Sequence, residues 1–338
     1  MYSSAYRFLW QMCAVVVLGS ATTSHAQSVQ SEPKNNPETL KIERIALPVE
    51  GVASMGHSEF LRAIGAWRLN ADHDRFGGFS AMLPLDETLL LISDGGLMFR
   101  FDPASDAPMA ELSRLPPLCA GDRQANLGDS ESVAKSADGQ KILIGMERSN
   151  LLCAFEWEKP ETAKLSAPPA LALWPRNRGA EAMTTLPNAG TVILGEPGLD
   201  KDGHRPLLWY RGDPSDPETP LVTMRYLPPK GYKPADAAFL PDGRMLVLNR
   251  RYRLEAGRAS ILTLAPAFAP AEGGIVTGTE IARIAGSHLA VNFEGMTVVP
   301  HPGGATIWLV SDDNFDSSKG TVLMRLEWSD EQSVATTR

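Results

Sequence analysis

The chain is built from short apolar runs separated by tight polar turns, with no long stretch carrying the three-four spacing of an amphipathic helix. One arrangement of these runs recurs. It reads "GFSAMLPLDETLLLISDGG" at 78–96, "SESVAKSADGQKILIGMER" at 130–148 and "GAEAMTTLPNAGTVILGEP" at 179–197. It returns as "PADAAFLPDGRMLVLNRR" at 234–251 and "FEGMTVVPHPGGATIWLVSDDN" at 293–314. Each copy has a polar or acidic residue near its start, then a small and an apolar one, and turns on Asp, Asn, Gly or Pro. It comes back as an apolar run that ends in polar groups. This is a hairpin pattern.

A further strand-like stretch follows each copy: "LMFRFD", "LLCAFEWE", "PLLWYRG", "ASILTLAP" and "TVLMRLEW". Fourth strands are expected at "AELSRL", "ALALWP", "LVTMRYL" and "TEIARIA". Four short strands recurring about every 50 to 60 residues predict an all-β fold, a single closed β-propeller. The repeat count gives five blades. The last copy lacks a fourth strand, and "FLRAIGAWRLN" at 60–70 is expected to supply it from the N-terminal side, which removes an exposed edge. "LKIERIALP" at 40–48 is left over and leaves room for a sixth, irregular blade. An open two-sheet sandwich is the alternative, and it gives no reason for acids to recur in phase.

The start of the chain has another character. Residues 1–26 carry Arg7, an apolar run to about Leu18, and Ser24 and Ala26 placed as a small-residue cleavage site, so they read as a signal peptide. The polar segment 27–40 reads as a disordered lead-in and 41–330 as the propeller domain. The expected location is therefore the periplasm or the exterior, without membrane insertion. In that setting Cys119 and Cys153 form either one disulfide or a pair of buried thiols. The 338 residues carry a formal net charge of −8, which argues against nucleic acid as a partner.

Charge matters most inside the repeat. Aligned at the first polar position, the copies present Ser80, Glu131, Glu181, Asp236 and Glu294. Aligned where the second run ends, they present Asp94, Glu147, Glu196, Asn249 and Asp312, with Asp313 and Asn314 beside the last. A hairpin returns to the face it left, so both sets are expected around one mouth of the channel. Two carboxylates ~6 Å apart repel by roughly 3 kcal/mol at an effective dielectric of about 20. The cluster therefore needs neutralising, by a hard divalent cation, by shared protons or by Arg148, Arg178, Arg250 and Arg251. Carboxylates with an Asn suit Ca²⁺ or Mg²⁺ better than zinc or copper. No G-x-S-x-G elbow, P-loop or dinucleotide fingerprint accompanies them.

These residues carry a resemblance. "RFGGFSAM" with "LLISDGG", "DSESVAKSADGQKILIGMER", and most specifically "NFEGMTVV" with "SDDNF" resemble the phytase-like ("esterase-like activity of phytase") family of exported bacterial proteins, over about Phe76 to Trp328. The resemblance implies a β-propeller and the hydrolysis of small-molecule esters or phosphoesters. Ser80 and Asn249 break the acidic ring and favour an off-centre site. The expected catalytic groups are Glu131, Glu181 and Glu294 with Arg148 and Arg178. The expected cation ligands are Glu147, Glu196, Asp312, Asp313 and Asn314, holding Ca²⁺ or Mg²⁺. A ligand- or protein-binding module is the alternative, and a two-carboxylate glycosidase ranks below it because few tryptophans lie near the acids.

Overall fold

The structure is a computed structural model that describes residues 37–54, 60–120, 129–253, 257–316 and 318–329. The expected signal peptide lies outside the described residues, as does most of the lead-in. An ordered strand already begins at Glu38, three residues before the expected domain start. Among the described residues no helix is long and apolar enough to cross a membrane. The only α-helices among the described residues are two four-residue turns, Pro117–Ala120 and Pro169–Ala172.

Each of the five repeats forms the two inner strands of a four-stranded antiparallel blade. Blade one contains Phe79–Leu85, Thr88–Ser93, Leu97–Phe101 and Met109–Arg114. Blade two contains Ser130–Lys135, Lys141–Met146, Leu151–Glu156 and Lys159–Ser166. Blade three contains Ala180–Leu186, Gly190–Gly195, Arg205–Tyr210 and Leu221–Leu227. Blade four contains Lys233–Phe239, Arg244–Arg253, Gly257–Ala267 and Thr279–Ile284. Blade five contains Asn292–His301, Gly304–Asp312 and Thr321–Ser329, and takes Leu61–Ala71 as its outer strand. Each first strand lies against the first strands of both neighbouring blades, and the fifth returns to the first. The ring is a β-propeller.

Closure by 60–70 is as expected, since Leu61–Ala71 pairs with Thr321–Ser329. The leftover segment does not start a sixth blade. Ile42–Leu47 pairs with the outer strand of blade five while Glu38–Lys41 pairs with the outer strand of blade one, so one strand bridges both edges. The short strand Val52–Ser54 adds to the edge of blade four. One outer strand differs from expectation: "ALALWP" holds the helical turn Pro169–Ala172, and blade two ends instead in the polar strand Lys159–Ser166. An outermost strand faces water and needs little apolar content, whereas Pro at a helix start suits a turn.

Five apolar clusters hold the ring, each shared by two adjacent blades. Between blades four and five, Leu246, Leu262 and Ile281 pack with Met296, Ile307 and Trp328. Between blades one and two, Ile92 and Met98 meet Ile144 and Phe155. Full burial of such side chains contributes roughly 1.5–3 kcal/mol each. Cys119 and Cys153 form a disulfide across that second interface, with Cα atoms 5.2 Å apart. Of the two arrangements left open by the sequence, this is the one formed.

Candidate functional site

The first strand of every blade is interrupted where it leaves the ladder. The pairing register shifts between Phe79 and Ala81, Ser130 and Ser132, Ala180 and Ala182, Pro234 and Asp236, and Phe293 and Gly295. A β-bulge leaves one extra residue unpaired and re-aims its side chain. The bulged residues are Ser80, Glu131, Glu181, Ala235 and Glu294. Four of the five were expected. In blade four the position belongs to Ala235, and Asp236 lies one residue farther along the strand.

The same slip affects the second strand. The residues facing the bulge flank are Ser93, Met146, Gly195, Asn249 and Ser311, so the next residues out are Asp94, Glu147, Glu196, Arg250 and Asp312. Asn249 is therefore not a member of the mouth. It is fully buried, accepts the Tyr226 hydroxyl at 2.9 Å and donates to Thr263 at 3.1 Å. Asp236 is buried too, accepting the N–H groups of Met296 at 2.6 Å and Ala237 at 2.8 Å. Burial pushes its pKa well up. It ties blade four to blade five. Gap-free sequence alignment cannot detect a one-residue slip when Ala-Asp can be read for either position.

Two residues before each bulge stand Gly78, Asp129, Gly179, Lys233 and Asn292. This third set escaped the sequence reading. Its signal was weak, since only Asp129, Lys233 and Asn292 are polar and glycine fills the other two positions. With it the mouth divides by charge: blade two contributes Asp129, Glu131 and Glu147, while blade four contributes Lys233, Ala235 and Arg250.

Blade four neutralises its neighbours. Arg250 forms ion pairs with Glu294 of blade five and, at 3.3 Å, with Glu181 of blade three. It also donates to the Asn292 side chain at 3.3 Å. Burial lowers the Arg250 pKa, but Glu294, Glu181 and Glu131 outweigh it and raise the net value. Lys233 pairs with Glu196. Around blade two, Arg148 meets Asp129 at 2.6 Å. Arg178 is exposed and forms no ion pair among the described residues, so it does not join the cluster.

The carboxylates of blades two and three, several of them already ion-paired, crowd together. One oxygen each from Asp129, Glu131 and Glu147 lie within 4.8 Å of one another, and Glu147, Glu181 and Glu196 form a second such triad. Glu147 belongs to both. Burial, followed by Glu294 and Glu181, holds the Glu131 pKa well above the usual range. Burial and Glu181 push Glu147 to about 7, and burial with Asp312 and Asp129 does the same for Asp94. Glu294 is also raised to about 7, because burial outweighs the opposing pull of Arg250. Such a donor set, all oxygen and mutually repelling, fits a hard divalent cation.

Of the expected ligands on blade five, Asp313 and Asn314 are taken up by local hydrogen bonds, while Asp312 remains at the mouth. Asp313 is buried and accepts the N–H groups of Gly78 and Phe315, both at 2.9 Å, and the Thr321 hydroxyl at 3.1 Å. This pins blade one to blade five. A side chain at Gly78 has no room, since its φ is +61° and a Cβ would meet the Phe315 ring at 2.3 Å. Asn314 bonds Asp312 through both its backbone and its side-chain amide. Asp312 faces the mouth, bonded by Asn292 at 3.3 Å. Ser80 bonds the Ser130 carbonyl and joins the first strands of blades one and two.

Among curated proteins none matches the sequence significantly. Glutaminyl cyclase of Myxococcus xanthus is similar at 12% identity and a TM-score of 0.43, covering 80% of this chain and 97% of that one. The β-propeller domain of a Myceliophteria thermophila protein is similar at 11% and 0.36, covering 86% and 99%. The Malassezia sympodialis allergen Mala s 1 is similar at 10% and 0.40, covering 82% and 77%. At such scores these likenesses carry no argument. The phytase-like family, described as esterase-like activity of phytase, matches residues 74–315, from just before blade one to the Asp312–Phe315 turn. On that match, which covers most of the chain and all five bulged hairpins, the protein belongs to the phytase-like family.

Proposed function

We propose that the protein is an exported hydrolase of small-molecule phosphoesters or carboxylesters, working with a divalent cation at the channel mouth. The observation that carries this reading is the pair of carboxylate triads sharing Glu147, each with oxygens within 4.8 Å. Asp129, Glu131 and Glu147 would hold Ca²⁺ or Mg²⁺, with Glu181 and Glu196 completing the set from blade three. A bound cation supplies Lewis-acid polarisation of a phosphoryl or acyl oxygen. Glu294, held by Arg250 and Asn292, is poised near neutrality to accept and return a proton. Arg250 fixes that carboxylate and adds positive charge where an oxyanion develops.

The test is hydrolysis of a general aryl phosphate and a general aryl carboxylate, with Ca²⁺ and with chelator. Activity on either that chelator abolishes and Glu147→Gln lowers at least about tenfold supports the reading. No turnover of either ester with Ca²⁺ present sinks it. Saturable cation binding without turnover then favours a binding module on the same triads.

A further inference from the structure

Beside the acidic mouth, on the flank of blades three and four, lies a second depression of about 760 Å³. Its wall collects six cationic side chains: Lys201, Arg205, Lys230, Lys233, Arg250 and Arg251. Asp202 is the single acid lining it. In a chain whose net charge is −8, so many cations at one place call for a purpose.

Neutralising the acidic mouth accounts for only part of the set. Lys233 pairs with Glu196, Arg250 pairs with Glu181 and Glu294, and Arg205 bonds the Glu196 carbonyl. Lys201, Lys230 and Arg251 make no ion pair among the described residues. Arg251 lies half-buried with its guanidinium 4.8 Å over the Tyr232 ring, and its Nε has no hydrogen-bond partner. The Nε of Arg205 and the Tyr232 hydroxyl are likewise buried and unpartnered, and Tyr232 is only 6% exposed. Stacking on an aromatic face fixes the plane of a guanidinium while leaving its N–H edge to donate. Held donors and exposed rim lysines of one charge make an oxyanion site.

The geometry points to a separate anion-binding pocket here, formed by Arg251, Arg205, Lys201 and Lys230, that takes a phosphate-type tetrahedral oxyanion of a small ligand. It does not depend on hydrolysis at the acidic mouth. Planar guanidinium edges pair two oxygens at once, and a phosphate dianion offers more acceptors and charge than a carboxylate.

The experiment uses the full chain in chelator, so that no cation can recruit the anion. Inorganic phosphate, sulfate and acetate are titrated by calorimetry against a chloride background of matched ionic strength. Phosphate is expected to bind saturably with one site, sulfate more weakly and acetate least. Arg251→Gln and, independently, Lys201→Gln should each weaken phosphate about tenfold, the effect of losing one charge-assisted contact. Lys201 is exposed, so its variant keeps the test decisive if Arg251→Gln misfolds. Phosphate heat no larger than that of chloride overturns the pocket. So does phosphate affinity unchanged in Lys201→Gln and in any folded Arg251→Gln protein.

Discussion

Blades two and four occupy equivalent places in one repeat, with the same bulge and strand order, and present opposite charge. At the three mouth positions blade two has Asp129, Glu131 and Glu147, where blade four has Lys233, Ala235 and Arg250. The backbone dictates where the side chains go, and the residues alone decide the sign. The propeller thus builds an internal counter-cation into one sector and leaves the opposite sector short of positive charge. The two triads that share Glu147 lie on blades two and three.

The comparison breaks most visibly at Arg250. Its side chain is 21% exposed and lies between two nearly buried carboxylates. Removing one partner of a buried pair costs about 3–5 kcal/mol. Arg250→Met should therefore lower the melting temperature by roughly 6–20 °C at pH 8, given about 2–4 °C per kcal/mol at this size. A companion change of Glu294 to Gln should recover part of the loss. A wild-type melting curve for Arg250→Met would mean that blade four does not neutralise its neighbours.

The acidic sector sharpens the contrast next. Ca²⁺ at about a hundredfold excess over Kd should add about 2.7 kcal/mol, or roughly 5–10 °C, to chelator-treated protein. Glu147→Gln should remove most of that gain because it strips both triads. Glu294→Gln should remove less, since Arg250 and Asn292 already hold Glu294. Equal losses in the two variants, or no response to Ca²⁺, would remove the reason for placing a cation on blades two and three.

A pH series probes the same imbalance on a scale of a few degrees. Asp94, Glu147 and Glu294 have folded pKa values of about 7, above their unfolded values of about 4. The folded state then binds more protons than the unfolded state between these limits. In chelator, stability should fall as pH rises from about 4 to about 7 and level off above. Ca²⁺ should flatten that fall, because its ligands must be ionised. Melting temperatures in chelator that rise over pH 5 to 8 would contradict the sign.

The smallest effect is expected at Asp236. Its carboxyl serves two backbone N–H groups at the seam of blades four and five. Asp236→Asn should leave the Ca²⁺-induced rise within about 1 °C of wild type, although the fold itself loses up to about 1–3 kcal/mol if the amide presents a donor there. A lost Ca²⁺ response would return Asp236 to the mouth.

What the sequence determined by itself is periodic. Alternating apolar runs and turn residues specify hairpins, their recurrence specifies a ring, and "FLRAIGAWRLN" specifies closure, because burial and strand pairing act on local pattern. Glu131, Glu147, Glu181, Glu196 and Glu294 were legible as recurring acids for the same reason. Only the tertiary structure decided the rest. The bulge in blade four falls at Ala235, which turns Asp236 and Asn249 inward and puts Arg250 at the mouth. No local residue preference distinguishes that register, and packing between blades selects it. Likewise Asp313 serves Gly78, 235 residues away in sequence, a partner that only ring closure brings within 2.9 Å. Pairings across blades depend on distances in space, and a chain read in order contains none of those distances.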